Sequence, residues 1–264
     1  MLAERPDAVA ASRNMTVNNL PVNASMVLCG GRLTHAGRGT RLQPVRFAQP
    51  RDKETHQGGR HMAGDDELRF GPLSHSCAHL CIDMQRMFAE RTDWCTPWMA
   101  RVLPKVVQIV EAHPRETVFT RFIPAQTSGQ GEGTWKRYYE RWASMTIEQL
   151  GADKIDLVPE LTRFVPPAEV VDKNVYSPWL GTDLHERLRA RSIDTLVVTG
   201  GETDVCVLSA VLGAVDRGYR IIIVTDALCS SSDEAHDAML TLYHGRYGQQ
   251  VETVTTDTLL RSWM

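Results

Sequence analysis

Residues Leu196–Asp226 read LVVTGGETDVCVLSAVLGAVDRGYRIIIVTD. A β-branched run, Leu196-Val197-Val198, meets a Gly200-Gly201 turn. Cys206 follows five positions later, at the start of an apolar-periodic helix pattern over 204–217, and a second β-branched run occupies 220–225. Strand, helix and strand within thirty residues call for a parallel pair with a crossover helix. The pattern also places one thiol where a strand ends and a helix begins. Free backbone N–H groups and the helix dipole favour a thiolate there. Cys206 is the candidate nucleophile.

Outward from this unit the alternation continues. Ala78–Asp83 is a short apolar run ending in a carboxylate. Pro97–His113 carries apolar residues at helical spacing, and 117–120 reads as a second strand. Residues 122–168 look irregular, with a Gly/Ser/Gln-rich turn at 127–134 and an aromatic cluster of Trp135, Tyr138, Tyr139 and Trp142. A strand at 170–172, a helix at 184–191, strand 194–199, helix 233–247 (Ser232 as N-cap), strand 251–254 and a closing helix at 256–262 complete the domain. Strands separated by helices of this length predict a three-layer, doubly wound α/β sheet of six mainly parallel strands with helices on both faces. Ligands in such sheets bind beyond the strands' C-terminal ends.

Composition narrows the class. The chain has 264 residues, a net charge of −3 and no apolar run of transmembrane length, so neither nucleic acid nor membrane is an expected partner. Its six cysteines form no C-x-x-C pair and do not read as a secreted disulfide framework. Cys77 and Cys81 read as small apolar residues of a buried strand, and a reducing cytoplasm suits these thiols. Residues 1–70 are rich in Gly, Pro, Arg, Asn and Gln without period. They are expected to form a disordered extension, the domain then spanning 71–264. No signal-peptide core is present, Glu4, Asp7, Asp52 and Glu54 count against a transit peptide, and Met62 is an alternative start.

Three groups lie at strand ends on one sheet edge: Asp83 after the first strand, Lys173 after 170–172, and Cys206. A cysteine nucleophile needs a base for its proton and a cation to favour the thiolate. Asp83 serves as the base and Lys173 as the cation. Each residue taken alone has a plainer reading: a buried small side chain, a turn former, a solvated cation. Their coincidence at one edge is what argues for a site. Cys229, in Asp226-Ala227-Leu228-Cys229, is a second strand-end thiol and reads as structural.

Ile82-Asp83-Met84-Gln85 with Phe88, Lys173-Asn174-x-Tyr176-Ser177, and Gly200-Gly201-Glu202-Thr203-Asp204-Val205-Cys206-Val207 resemble, in order, three signatures of the isochorismatase-like cysteine hydrolases. The resemblance covers about residues 75–260 and favours the N-carbamoylsarcosine amidase and biuret hydrolase branch. It implies a triad of Asp83, Lys173 and Cys206. It also implies a cis peptide at Gly201-Glu202 that turns the N–H of Glu202, beside that of Cys206, into an oxyanion hole. The implied reaction is metal-independent hydrolysis of a small amide, carbamoyl or ureido compound through a covalent acyl-enzyme on Cys206. Nicotinamidases carry Asp-x-His-x-x-x-His after the second strand. Here that stretch is Thr120-Arg121-Phe122-Ile123-Pro124-Ala125-Gln126, so no metal and no cofactor is expected. True isochorismatases lack the cysteine.

Phe88, Arg121, Gln126, Trp135, Tyr138, Trp142, Asn174 and Tyr176 are candidates for the substrate wall. Arg121 either clamps a substrate carboxylate or forms a structural ion pair. The Trp/Tyr cluster reads more readily as core or subunit contact. Relatives of this kind assemble as dimers or tetramers, so a homo-oligomer is expected. A non-catalytic binding or scaffold protein on the same fold is the alternative function. A dinucleotide-dependent oxidoreductase is disfavoured, because Asp83 is followed by Met-Gln-Arg-Met-Phe and not by a glycine-rich loop.

Overall fold

The computed structural model describes residues 67–263. Six strands, β1 (Cys77–Ile82), β2 (Thr117–Phe122), β3 (Glu169–Lys173), β4 (Thr195–Gly201), β5 (Arg220–Cys229) and β6 (Val251–Val254), form one sheet in the order β3-β2-β1-β4-β5-β6. Every pairing is parallel. The chain moves outward from β1 in one direction through β2 and β3, then returns to β4 on the other side. The junction of β1 and β4 is therefore the switch point, where a crevice opens at the strands' C-terminal ends.

Side chains alternate across the sheet. Cys77 and Cys81 face a core formed with helix Met99–Ala112, Phe119, Val197 and Ile222. Ala78, Leu80 and Ile82 face an opposite core with Leu184, Leu188, Val207 and Val211 from helices Leu184–Ala190 and Leu208–Val215 and the turn between. Each fully buried Leu, Ile or Val there contributes about 1.5–3 kcal/mol. His79 is buried between Thr117 Oγ1 at 3.1 Å and Thr199 Oγ1 at 2.8 Å. Burial pushes its pKa down to about 3, so it sits neutral as a strut in the sheet.

Four strands run further than the sequence implies: β2 reaches Phe122, β3 spans Glu169–Lys173, and β4 and β5 both lengthen at their C-terminal ends. β4 continues through Gly200 and Gly201, because Gly200 pairs with Leu228 and Gly201 with Cys229. β5 accordingly extends to Cys229, past a bulge between the Val198 and Gly200 pairings. Gly200 (φ +100) is forced by close approach: a Cβ there would lie 2.1 Å from the Ile82 carbonyl oxygen. The expected helix 204–217 is a five-residue π-turn (Thr203–Val207) leading into helix Leu208–Val215. Ser232 caps helix Asp233–Gly245 by accepting from the Ala235 N–H.

The stretch expected to be irregular contains helix Thr134–Arg141 and single helical turns at 143–145, 147–150, 152–155 and 159–162. These turns are too short to leave a period in the sequence. The domain also begins before residue 71. Leu68 is buried, Arg69 Nη2 donates to the Val251 carbonyl at 2.7 Å, and Phe70 N donates to Glu252 Oε1 at 3.1 Å. The rest of the expected extension lies outside the described residues.

Candidate active site

Asp83 follows β1 directly, with φ +49, a conformation that Asp tolerates better than most residues. Lys173 is the last residue of β3, and Cys206 sits in the π-turn after β4. These three positions, 83, 173 and 206, meet in one buried cluster. Lys173 Nζ lies 2.7 Å from Asp83 Oδ2 and 3.4 Å from Cys206 Sγ, and its third donor reaches the Val175 carbonyl at 3.2 Å. Asp83 Oδ1 accepts from the Thr120 hydroxyl at 2.6 Å. Lys173 is also 5.1 Å from the Phe122 ring centroid. Gln85 holds the end of β2 in register: its Oε1 accepts from Phe122 N at 2.7 Å, and its Nε2 donates to Phe122 O at 3.0 Å.

Burial alone would pull the Lys173 pKa down. The Asp83 carboxylate and the Cys206 sulfur outweigh it, and the ammonium is held above its ordinary range. For Cys206, burial and then the Asp83 charge raise the pKa, against the opposing pull of Lys173. This direction is opposite to the one that a helix N-terminus alone would give. Cys206 is enclosed in a π-turn ahead of the helix, and desolvation beside a carboxylate pushes its thiol pKa up, against the pull of Lys173.

A cavity of about 310 Å³ opens onto Cys206. Phe88, Tyr138, Trp142 and Tyr176 from the sequence-based wall line it, together with Phe122. Trp135 lies behind this wall, 5.0 Å from Tyr176 and 5.1 Å from Tyr138 between ring centroids. Arg121, Gln126 and Asn174 are not among the lining residues. Arg121 Nε and Nη2 grip both oxygens of Asp172 at 2.8 and 2.9 Å while Nη1 reaches Asp156 at 3.0 Å, which is its structural ion-pair reading. Asn174 Nδ2 donates to the Ile123 carbonyl at 3.2 Å, and Gln126 is exposed, its carbonyl taking the Glu148 N–H. The Arg121 and Asn174 side chains are held by β2–β3 connections and not by the crevice.

Sequence reasoning missed Asp93, Trp94, Cys95, Val205 and Ser231, which also line the cavity. Residues 91–98 have no period, so only the aromatic and acidic content of Asp93-Trp94 could have drawn notice. The Glu202 side chain is a further lining group. Its Oε1 accepts from Ser231 N at 3.0 Å, and the Gly201-Glu202 peptide is cis. Cys229 is buried at the end of β5 against Gly201, whose added Cβ would lie 2.9 Å from the Cys229 sulfur. It is not a lining residue. Among the described residues no group of three His, Cys, Asp or Glu side chains is arranged to hold a metal ion.

Residues 77–257 match the Isochorismatase domain. The chain belongs to the isochorismatase family. Within it, nicotinamidase 3 of Arabidopsis thaliana is 28% identical over 174 residues, covering 64% of this chain and 81% of that protein. The structure superposes on a cysteine hydrolase from Pseudomonas syringae pv. phaseolicola with a TM-score of 0.64 at 23% identity, covering 72% of this chain and 94% of the other. It also superposes on N-carbamoylsarcosine amidase from Thermoplasma acidophilum with a TM-score of 0.55 at 25% identity, covering 69% and 96%. These relatives make the protein an isochorismatase-family hydrolase. Among its described residues no helix is long and apolar enough to cross a membrane.

Proposed function

We propose that the protein is a cysteine amidohydrolase that cleaves the C–N bond of a small amide, carbamoyl or ureido compound. The carrying observation is the Lys173 ammonium bridging Asp83 and Cys206 at 2.7 and 3.4 Å, with Cys206 lining a cavity large enough for a small substrate. Two relatives named as amidases agree with this reading.

The chemistry follows from the charges. The Cys206 thiol has a raised pKa, so attack is coupled to transfer of its proton to Asp83. The sulfur bonds to the substrate carbonyl carbon, and the carbonyl electron pair moves to oxygen. The N–H groups of Glu202 and Cys206 face that oxygen. Asp83 then hands its proton to the departing amine or ammonia as the C–N bond breaks, leaving a thioester. Water enters, Asp83 takes one of its protons, the acid departs and the thiol recovers a proton. Lys173 stays charged throughout and prevents Asp83 and a developing thiolate from repelling one another. The Thr120–Gln126 stretch lacks His and carboxylate donors, so no step runs through a metal.

We propose that the enzyme works in a reducing cytoplasm and, as the family resemblance implies, as a homo-oligomer. The thiols of Cys77, Cys81, Cys95, Cys206 and Cys229, all free, fit that compartment.

The test is ammonia release from a panel of small amides, ureas and carbamoyl amino acids by wild type, Cys206→Ser and Cys206→Ala. Turnover should vanish in both variants while circular dichroism stays unchanged. Ammonia release at the wild-type rate in either would overturn the reading.

A further inference from the structure

We infer that the non-reacting end of the substrate is a compact cation, an alkylammonium group held by the aromatic wall of the cavity. This deepens the amidase reading by naming a substrate class.

The wall is built around Trp94. Its ring centroid lies 6.1 Å from Phe88, 5.9 Å from Phe122, 5.7 Å from Tyr138 and 6.3 Å from Trp142. Tyr176 closes the circle, 6.5 Å from Phe122. Phe88, Trp94, Phe122, Tyr138, Trp142 and Tyr176 all line the cavity, and aromatic faces turned towards a ligand attract quaternary and alkylated ammonium groups.

Charge points the same way. Two lining residues are carboxylates, Asp93 and Glu202, and no lining residue is a Lys or Arg. Their hydrogen-bond partners are neutral: the Ser144 hydroxyl at 2.5 Å for Asp93 and the Ser231 N–H at 3.0 Å for Glu202. Within the cluster, Lys173 and Asp83 pair charge for charge, both buried away from the cavity. The nearby arginines do not line this cavity. Arg121 belongs to Asp172 and Asp156. Arg141 lies 5.2 Å from the Trp142 centroid and, with Arg137, lines a separate cavity that shares Tyr138, Trp142 and Tyr176.

A substrate carboxylate in the Cys206 cavity would meet two like charges and ring faces with no counter-ion. A cation meets both attractions at once. About 310 Å³ admits an amide bearing one trimethylammonium-sized group.

The test compares three amides of similar size with the full-length protein: trimethylammonioacetamide, its tert-butyl isostere in which carbon replaces nitrogen, and malonamate. The expected kcat/KM is about tenfold or more higher for the cation than for the neutral isostere, and lowest for malonamate. In Asp93→Asn/Glu202→Gln the cation-to-neutral ratio should fall towards one. Binding to Cys206→Ala and Cys206→Ser, followed by quenching of tryptophan fluorescence, should show the same order. Hydrolysis of all three without preference would overturn the inference and leave the amidase reading standing. Cation-selective binding with no ammonia release from any amide would do the reverse. Binding of the neutral or anionic amide as tight as that of the cation would sink the inference outright.

Discussion

The Thr120 hydroxyl donates to Asp83 Oδ1 at 2.6 Å, while Lys173 takes the other oxygen, Oδ2. The carboxylate is therefore fixed in its plane by two donors from two different strands, and its orientation towards Cys206 does not depend on substrate. A hydrogen bond to a charged group is worth about 1.5–3 kcal/mol. Thr120→Val keeps the shape and removes that bond, so kcat/KM should fall by about tenfold to a hundredfold, with Thr120→Ser restoring most of it. A Thr120→Val enzyme with wild-type kinetics would show that Asp83 needs no such support.

Lys173 and Asp83 are both essentially inaccessible to solvent, at 0% and 1% side-chain exposure. Lys173→Met leaves a buried carboxylate without its partner and should cost about 3–5 kcal/mol in urea unfolding. Asp83→Asn/Lys173→Met removes both charges and should recover much of that stability while remaining inactive. A single variant as stable as wild type would mean that the pair is not buried in solution.

Alkaline pH should weaken the fold. Lys173 and Cys206 have folded pKa values raised above the ordinary 10.5 and 9.0, so each holds its proton more tightly when folded. Stability from such groups is fully present below the ordinary value and is lost as pH rises through the folded one. Unfolding free energy should be level near neutrality and decline above about pH 9. Burial raises Cys77, Cys81 and Cys229 as well, so Cys206→Ala should make the decline shallower without removing it. Alkylation of Cys206 by iodoacetamide should likewise still be accelerating at about pH 9. A plateau near neutrality would reveal a resting thiolate.

Arg121→Ala should leave KM within about twofold of wild type and cost about 1 kcal/mol or less in stability, because its partners Asp156 and Asp172 are half solvent-exposed. A large rise in KM would return Arg121 to the substrate.

Gly200→Ala should be far more damaging. The added methyl would collide with the Ile82 carbonyl at 2.1 Å in a backbone conformation at φ +100. A loss of about 3 kcal/mol or more is expected from thermal unfolding.

Strands β1, β2, β4 and β5 were legible because each carries a β-branched or apolar run largely buried on both faces. The cluster was legible because Asp83, Lys173 and Cys206 each sit where such a run stops. Where β4 and β5 end was not legible. Gly200-Gly201 and Thr225-Asp226 look like terminators, yet cross-strand pairing with Leu228 and Cys229 carries both strands on. The raised thiol pKa was hidden for a related reason: helix polarity can be read along the chain, whereas desolvation exists only after Asp83 and Cys206 are packed together. Asp93 and Trp94 carried no periodic signal, and Arg121 had an equally good partner, Asp172, one strand away.

β3 is a border strand, with β2 on one side and no further strand beyond it among the described residues. The cluster's ammonium thus rides on the five residues Glu169–Lys173, while its carboxylate and thiol are anchored at the interior strands β1 and β4. Sub-global opening releases such margins before the centre yields. Detachment of that short ribbon would take Lys173 from Asp83 and Cys206 while most of the sheet stayed intact.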